Sequence, residues 1–363
     1  MNLKKVQEAD LKNKRVLLRV DFNVAVKDGK VQEKFKIASC KETVDDILSR
    51  EGVKLALISH WGRPSFLEIA AFEKAPGGKA ASSITNRYSL KNMVGDIREI
   101  LGHEVEFVPD CVGEKVRSAV EKLEGRKILL LENVRLCSGD EINDPEFTRQ
   151  LSENFDVFVN DAFSVCHRDQ ASVTGIAGKL PSFAGMRLQK ELENLDKIKE
   201  NPIHPAVAII GGAKIETKLP LIHMFEKNFD QILVGGKIAI EAQSSRINFS
   251  PKVILPSDYA PAKKDIGPET IARFKEIIRA AHTIVWNGPM GKFEEPPNNE
   301  GTDRLLEVVL SSRAFTVVGG GESVQVLEER GMLDKVSFVS TGGGAMLEYL
   351  SGYELPGIDI LKS

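Results

Sequence analysis

The sequence predicts an α/β protein made of two doubly wound, parallel-sheet (Rossmann-like) domains joined by an interdomain helix and hinge. Three observations predict it. Short apolar runs alternate with stretches of helical period along the chain, the pattern of right-handed βαβ units and a parallel sheet. In the second half five such runs end on glycine: Val207–Ile210 on Gly211-Gly212, Gln231–Val234 on Gly235-Gly236, Thr283–Trp286 on Asn287-Gly288-Pro289, Ala314–Val318 on Gly319-Gly320-Gly321, and Val336–Ser340 on Thr341-Gly342-Gly343-Gly344. Finally, a charged helix, Leu188–Glu200, stands between halves whose strand ends carry different chemistry, and Asn201-Pro202 and Pro205 mark its end.

In the first half, Val16–Val20 is a strand ending in Asp21-Phe22-Asn23, and Asp28-Gly29 signals a hairpin turn closing onto Val31. Ile37–Glu51 reads as a helix and Leu55–Ile58 as a strand ending in SHWGRP. Ser65–Arg87 is rich in Ala, Gly, Ser and Lys without period and reads as a loop or mobile segment. Helices are expected over Leu90–Leu101, Val112–Leu123 and Pro145–Asn154, and strands over Val105–Val108, Ile128–Leu131 and Val157–Val159. The strand ends of this half bear Asp21, Asn23, His60, Arg63, Arg135, His167 and Arg168. One Arg or His after a strand is ordinarily an ion pair or a packed residue. Several at equivalent strand ends suggest one basic pocket for a small phosphorylated acid, because arginine forks suit carboxylate and phosphate.

In the second half, VAIIGGAKIETK suggests a strand, a tight glycine turn and a helix start that would offer free N–H groups to a phosphate, with Lys214 and Lys218 on one helical face. Further helices are expected over Leu219–Lys227 and Glu269–His282, the latter with Pro268 at its first position. Residues 242–265 are weakly patterned, with one strand at Val253–Leu255 and an abbreviated connection. In an open parallel sheet ligands sit beyond the carboxyl ends of the strands, so five glycine turns there make an amide-rich cradle for a nucleotide.

With 363 residues and a prior of about 150 per domain, two domains are expected, at 1–184 and 201–349 with 185–200 connecting them. A formal charge of −3 gives no global basic field for nucleic acid. The N-terminus lacks the apolar core of a signal peptide, and no apolar run approaches the ~20 residues of a membrane helix. The four cysteines, Cys40, Cys111, Cys137 and Cys166, form no C-x-x-C pair, so free thiols and a cytoplasmic protein are expected.

A basic pocket in one half and a glycine cradle in the other imply phosphoryl transfer, which needs positioning and positive charge more than covalent chemistry. No general base is required if the acceptor is a carboxylate, ionised at neutral pH. His167-Arg168-Asp169 spells the protein-kinase triplet, but Thr174 stands where its Asn belongs and no D-F-G follows. Both G-x-x-x-x-G-K-[ST] and G-x-G-x-x-G are absent, the latter against a dehydrogenase.

RVDFNV, SHWGRP, LLLENVRL, VNDAFSVCHR, IIGGAKIETK, VWNGPMGKFE, VVGGGES and STGGGAMLEYL, in order and across nearly the whole chain, resemble phosphoglycerate kinase. The resemblance implies a monomeric, cytoplasmic, hinge-bending enzyme that moves phosphoryl between 1,3-bisphosphoglycerate and ADP, giving 3-phosphoglycerate and ATP, with Mg²⁺. It implies a phosphoglycerate pocket of Asp21, Asn23, Lys36, His60, Arg63, Arg135 and Arg168. Lys214 would stabilise the moving phosphoryl group, and Lys218 and Asn287 would contact nucleotide phosphates. Gly211, Gly212, Ala213, Gly235, Gly236 and Pro289 would line the nucleotide side, with Glu294 at the ribose. Amides around Gly320, Gly321, Glu322 and Ser323, and around Gly343, would hold phosphates. The tail 350–363 would return to the first domain.

Three positions depart from the family. Lys36 stands where the family has an arginine, keeping the charge but losing the fork. Glu322 stands where the family's magnesium-ligating aspartate belongs, a longer arm for a hard cation. The C-domain is shortened after Glu241. The alternative expectation is therefore a catalytically weakened protein that keeps phosphoglycerate and nucleotide sites.

Overall fold

The structure is a computed structural model that describes residues 2–74 and 79–363. The chain falls into two compact units, Met1–Lys190 with Glu354–Ser363, and Glu191–Tyr353.

The first unit holds β1 (Arg15–Arg19), a hairpin of β2 (Val26–Lys27) and β3 (Lys30–Val31), β4 (Lys54–Ile58), β5 (Val105–Val108), β6 (Ile128–Leu131), β7 (Val157–Asn160) and β8 (Ser182–Ala184). Its helices are α1 (Lys34–Ala38), α2 (Lys41–Leu48), α3 (Phe66–Lys74), α4 (Lys79–Tyr88), α5 (Val94–Leu101), α6 (Glu114–Lys122), α7 (Ser138–Glu141) and α8 (Pro145–Ser152). Six strands form a parallel sheet in the order β5-β6-β4-β1-β7-β8. Its inner strands are buried on both faces and so read as continuous apolar runs. Val16, Leu18, Leu55, Leu57, Leu130 and Val159 pack with Val44 and Ile97 of α2 and α5, whereas Leu17, Ile58, Leu129 and Phe158 pack with Val116 and Leu151 of α6 and α8. The hairpin turns on Asp28 (φ 52) and Gly29 (φ 72), the two positive φ values of a type I′ turn.

Several expectations are corrected here. Ser65–Arg87 is not a loop: its described residues form α3 and most of α4, while residues 75–78 lie outside the described residues. A capping box starts α3, with the Ser65 N–H donating to Glu68 Oε2 (2.7 Å) and the Glu68 N–H to Ser65 Oγ (3.3 Å), a spacing the Ala/Ser-rich composition masks. Ala71 and Phe72 then pack on Ile84, Tyr88 and Leu136. The helix expected over Ile37–Glu51 is two helices, parted where Ser39 Oγ donates back to Lys36 O (2.7 Å). The edge strand β8, unread in the sequence, is three residues long and too short to show a period.

The helix α9 (Met186–Glu200) contains the boundary between the units. The second unit holds β9 (Ala206–Ile210), α10 (Leu219–Asn228), β10 (Gln231–Val234), α11 (Gly236–Ser244), β11 (Val253–Ile254), α12 (Pro268–Arg279), β12 (Thr283–Asn287), α13 (Glu300–Ser311), β13 (Phe315–Gly319), α14 (Gly321–Glu329), β14 (Phe338–Ser340) and α15 (Gly343–Leu350). Its parallel sheet runs β11-β10-β9-β12-β13-β14. In order of appearance that is 3-2-1-4-5-6, the dinucleotide-fold order, whose direction reverses between β9 and β12. After Gly211-Gly212 the chain does not enter a helix at once: α10 begins only at Leu219 with Lys218 as its N-cap, so Lys214 and Lys218 do not share a helical face. α11, α14 and α15 do start directly behind their glycines.

The C-terminal α16 (Pro356–Asp359) belongs to the first unit: Gly357 N–H donates to Cys166 O (2.9 Å) and Lys4 N–H to Leu361 O (3.1 Å). No helix among the described residues is long and apolar enough to cross a membrane.

Candidate active site

In the first sheet the strand order turns about β1, and the carboxyl ends of β1, β4, β6 and β7 open on one edge. Asn133, behind β6, ties that end to the segment that follows β4. Its Oδ1 accepts from the N–H groups of Trp61 (3.1 Å) and Arg135 (3.1 Å), and its Nδ2 donates to Trp61 O (2.7 Å) and Tyr88 O (2.9 Å). Asn23 Oδ1 accepts from Gly62 N–H (3.0 Å), and the buried Arg135 guanidinium donates to Gly62 O. Lys36 Nζ donates to Asn23 O (3.1 Å) and stands 3.9 Å from Asp21 Oδ2.

A residue the sequence reading passed over lies beneath this group. Arg19 is fully buried; its guanidinium donates to Val20 O (2.8 Å) and faces His60 Nδ1 at 3.1 Å. A guanidinium can only donate, so His60 Nδ1 accepts and the ring proton sits on Nε2. Burial, then the charges of Arg19, Arg135, Arg168 and Lys36, hold the His60 pKa well below the usual imidazole value. Burial, then Arg168 and Arg19, bring the Arg135 pKa down to about 10. Arg168 Nε donates to His167 Nε2 (3.3 Å), and burial followed by Arg168 lowers the His167 pKa. The exposed Arg63 adds its charge at Arg135. The structure thus brings Asp21, Asn23, Lys36, His60, Arg63, Arg135 and Arg168 into one electropositive cluster. Cations that raise each other's cost are stabilised by an anion, and several N–H groups here can grip its oxygens. The one sequence signal for Arg19 is a charge at the end of an otherwise apolar strand.

In the second sheet the glycine turns interlock at the strand-order reversal. The Gly211 N–H donates to Asn287 O (2.9 Å), Gly212 N–H to Pro289 O (3.1 Å), Gly235 N–H to Ile210 O (2.9 Å) and Gly236 N–H to Met290 O (2.8 Å). A Cβ on Gly211 would lie 1.9 Å from Pro289 O, so only glycine lets the two turns close. Lys218 Nζ donates to Asn287 Oδ1, Asn287 Nδ2 to Gly319 O (2.9 Å), and Gly288 N–H to Ser323 Oγ (2.8 Å). Burial drives the Lys218 pKa down to about 8 against the opposing pull of Glu322. Burial, then Glu294, pushes the Glu322 carboxyl above its ordinary value, with Lys218 opposing.

Beside this knot opens a cleft of about 380 Å³, lined by Gly212, Ala213, Gly236, Pro289, Glu294 and Glu322 among others. Lys237, Ile240 and Phe293 also line it and were not singled out from the sequence. Lys214 is exposed in the loop before α10, and Lys214, Gly320 and Gly343 do not line the cleft. Gly320 and Gly343 open α14 and α15 at the same sheet edge. Among the described residues no three His, Cys, Asp or Glu side chains converge on a metal site. A lone carboxylate such as Glu322 fits Mg²⁺ that keeps its waters and is held mainly by substrate phosphates.

A family model described as phosphoglycerate kinase matches residues 6–248 and 241–353. The phosphoglycerate kinase of Pelotomaculum thermopropionicum is 36% identical over 407 residues, covering 99% of each chain. That of Borrelia turicatae is 35% identical over 408 residues, covering 100% of each. Among solved structures, phosphoglycerate kinase from Pyrococcus horikoshii OT3 superposes with a TM-score of 0.83 at 27% identity, covering 99% of this chain and 98% of that one. The Coxiella burnetii phosphoglycerate kinase gives 0.78 at 30% identity with the same coverage. The family match comes in two segments that overlap at 241–248, beside Glu241, after which the C-domain is expected to be shortened.

Proposed function

As this chain belongs to the phosphoglycerate kinase family and is a phosphoglycerate kinase, moving a phosphoryl group reversibly between 1,3-bisphosphoglycerate and ADP to give 3-phosphoglycerate and ATP, we propose that its two units divide the work by ligand. The observation that carries this reading is the crowd of buried and half-buried cations at the carboxyl edge of the first sheet. Arg63, Arg135, Arg168 and Lys36 hold the phosphate and carboxylate oxygens of the glycerate, with Asp21 and Asn23 on its hydroxyl and the His60 Nε2–H as a neutral donor. The second unit holds the nucleotide: Gly211, Gly212, Ala213, Gly235, Gly236 and Pro289 beside the base, Glu294 at the ribose. Lys218, Asn287 and the amides of Gly320, Gly321, Ser323 and Gly343 hold its phosphates. Glu322 would hold Mg²⁺ together with nucleotide oxygens, and the ion would supply positive charge against the phosphates.

The chemistry asks little beyond this. An oxygen of the ADP β-phosphate attacks the phosphorus of the acyl phosphate, the bond from that phosphorus to the acyl oxygen breaks, and the oxygen leaves as part of a carboxylate. No proton moves at either oxygen, which is why no general base is needed. Lys214 and Lys36 neutralise charge on the phosphoryl group in flight. We extend the proposal to a cytoplasmic monomer whose units close on their ligands, because the attacking oxygen must reach the phosphorus and water must be kept out. Nothing in the family comparisons favours the weakened binding protein.

The test is a coupled assay on purified protein with an Arg135→Met variant. Removing a charge-assisted hydrogen bond costs roughly 1.5–3 kcal/mol, so KM for 3-phosphoglycerate should rise about tenfold to a hundredfold with the ATP KM within about twofold. Equal rises in both KM values would reject the division of ligands. A second variant, Lys36→Arg, restores the fork. Roughly a tenfold rise in kcat is expected at unchanged nucleotide KM; an unchanged or lower kcat would show that the site has adapted around Lys36 and its bond to Asn23 O.

A further inference from the structure

A second cavity lies in the nucleotide unit, on the far side of the loop 259–266. It measures about 820 Å³, the size of pockets that take drug-sized ligands. Tyr259, Ile266, Pro268 and Ile271 give it an apolar floor. Along the rim α12 presents Lys275 and Arg279, one helical turn apart on one face. Among the described residues neither makes an ion pair or a side-chain hydrogen bond. The third rim cation, Arg304, is already shared between Glu300 (3.7 Å) and Glu307 (3.6 Å). The acids of the lining are Glu300, Glu276 and Asp265. Asp265 is buried and turned to backbone, accepting from the N–H groups of Ile266 (2.9 Å) and Gly301 (2.7 Å). With Lys264, the lining carries four cations against the three acids, one positive charge in excess.

The same loop is a wall of the nucleotide cleft. Lys264 lines both cavities and Lys263 lines the nucleotide cleft. Lys264 O accepts from Lys292 N–H (2.8 Å), and Lys264 and Lys292 both pair with Glu295, so the loop is tied to the segment that carries Phe293 and Glu294. Within it Ala262 (φ 60) and Lys263 (φ 53) are both left-handed, a conformation that costs non-glycine residues energy and persists where surroundings enforce it. Release of these two strained conformations would offset part of the cost of breaking the bonds to Lys292 and Glu295.

We propose that this cavity is a second ligand site, for a monoanionic acid with an aromatic or branched aliphatic body, and that its occupant weakens nucleotide binding through the loop 259–266. The apolar body lies on Ile266 and Ile271 while the acid group meets Lys275 and Arg279. An anion here also attracts Lys264, drawing it from the nucleotide cleft and from Glu295. The binding stands on the cavity alone; its effect on nucleotide rests on the ligand division proposed above.

The probe is 8-anilinonaphthalene-1-sulfonate, an aromatic monoanion, titrated by fluorescence into the full-length protein. One probe per chain is expected to stay bound at saturating ADP, and saturating probe is expected to raise the Kd for ADP by about fivefold or more, the lower range of site-to-site coupling. Ala272 lies exposed on the cavity wall, so Ala272→Trp fills the site without disturbing the core. It should weaken the probe by about tenfold or more, while Tm and the probe-free ADP Kd stay at wild type. Lys275→Met should weaken it several-fold by the same measure. Full displacement of the probe by ADP, or unchanged probe affinity in Ala272→Trp, would overturn the site. Retained probe binding with an unaltered ADP Kd would overturn the coupling, and a loss of Arg135-dependent phosphoglycerate selectivity would instead overturn the ligand division.

Discussion

Replacing Lys218 by methionine is expected to lower kcat by roughly a hundredfold to a thousandfold, the loss seen when one preorganised positive donor is removed from a developing anionic charge. The lysine is held on Asn287 Oδ1 at the strand-order reversal, half-buried, with its pKa brought down to about 8. That value sets a pH signature. Only the ammonium form can meet a phosphate, so kcat/KM for the nucleotide should be level below about pH 8 and fall as pH rises through it. The stability consequence has the opposite slope. Below pH 8 folded and unfolded chains both carry the proton. Between about 8 and the ordinary lysine value of 10.5 the unfolded chain binds more, so folding gains stability with rising pH. Lys218→Met should abolish both features. A kcat/KM break near pH 8 that survives in the variant would assign that titration to another group.

Gly211→Ala should be nearly as damaging, for a different reason. Its Cβ would sit 1.9 Å from Pro289 O and 2.7 Å from Gly288 O, and both are backbone atoms that cannot swing aside. The two turns must part, taking with them the bonds from Gly211 to Asn287 and from Gly212 to Pro289. A loss of about 1–3 kcal/mol of stability is expected from the overpacking alone. Calorimetric titration should show the ADP Kd raised about a hundredfold or more, because the amides and Asn287 are displaced together, at unchanged 3-phosphoglycerate affinity. Gly95→Ala is the control: a Cβ there meets nothing within 4 Å, so both affinities should hold and Tm should hold or rise slightly, alanine being the better helix residue. Unchanged ADP affinity in Gly211→Ala would mean that the interlocked turns do not shape the nucleotide cleft.

The sequence was most readable where composition and local geometry agree. The continuous apolar runs that became β4, β6, β9 and β12 are buried on both faces, so burial itself wrote them into the residue types. Asp28-Gly29 announced its turn because that turn requires two positive φ values. Reading failed where a tertiary partner decides. Ser65 and Glu68 cap α3 through mutual hydrogen bonds, yet the helix is worth forming only because Phe72 finds Ile84 and Tyr88. GGAKIETK has the spacing of a helix start, but Gly212 is pinned to Pro289, which holds the chain away from helical geometry until Leu219.

The same division runs through the site. The glycine-ended strands, the arginines at strand ends and the family were determined by sequence alone, because each is a matter of residue type at a fixed distance along the chain. The identity of Arg19 as the group that fixes the His60 tautomer, the lowered pKa of Lys218 and the closing of Gly211 onto Pro289 were decided only by the tertiary structure. Each depends on which distant segment supplies a neighbouring charge, a low-dielectric surrounding or a carbonyl oxygen, and no spacing along the chain encodes that.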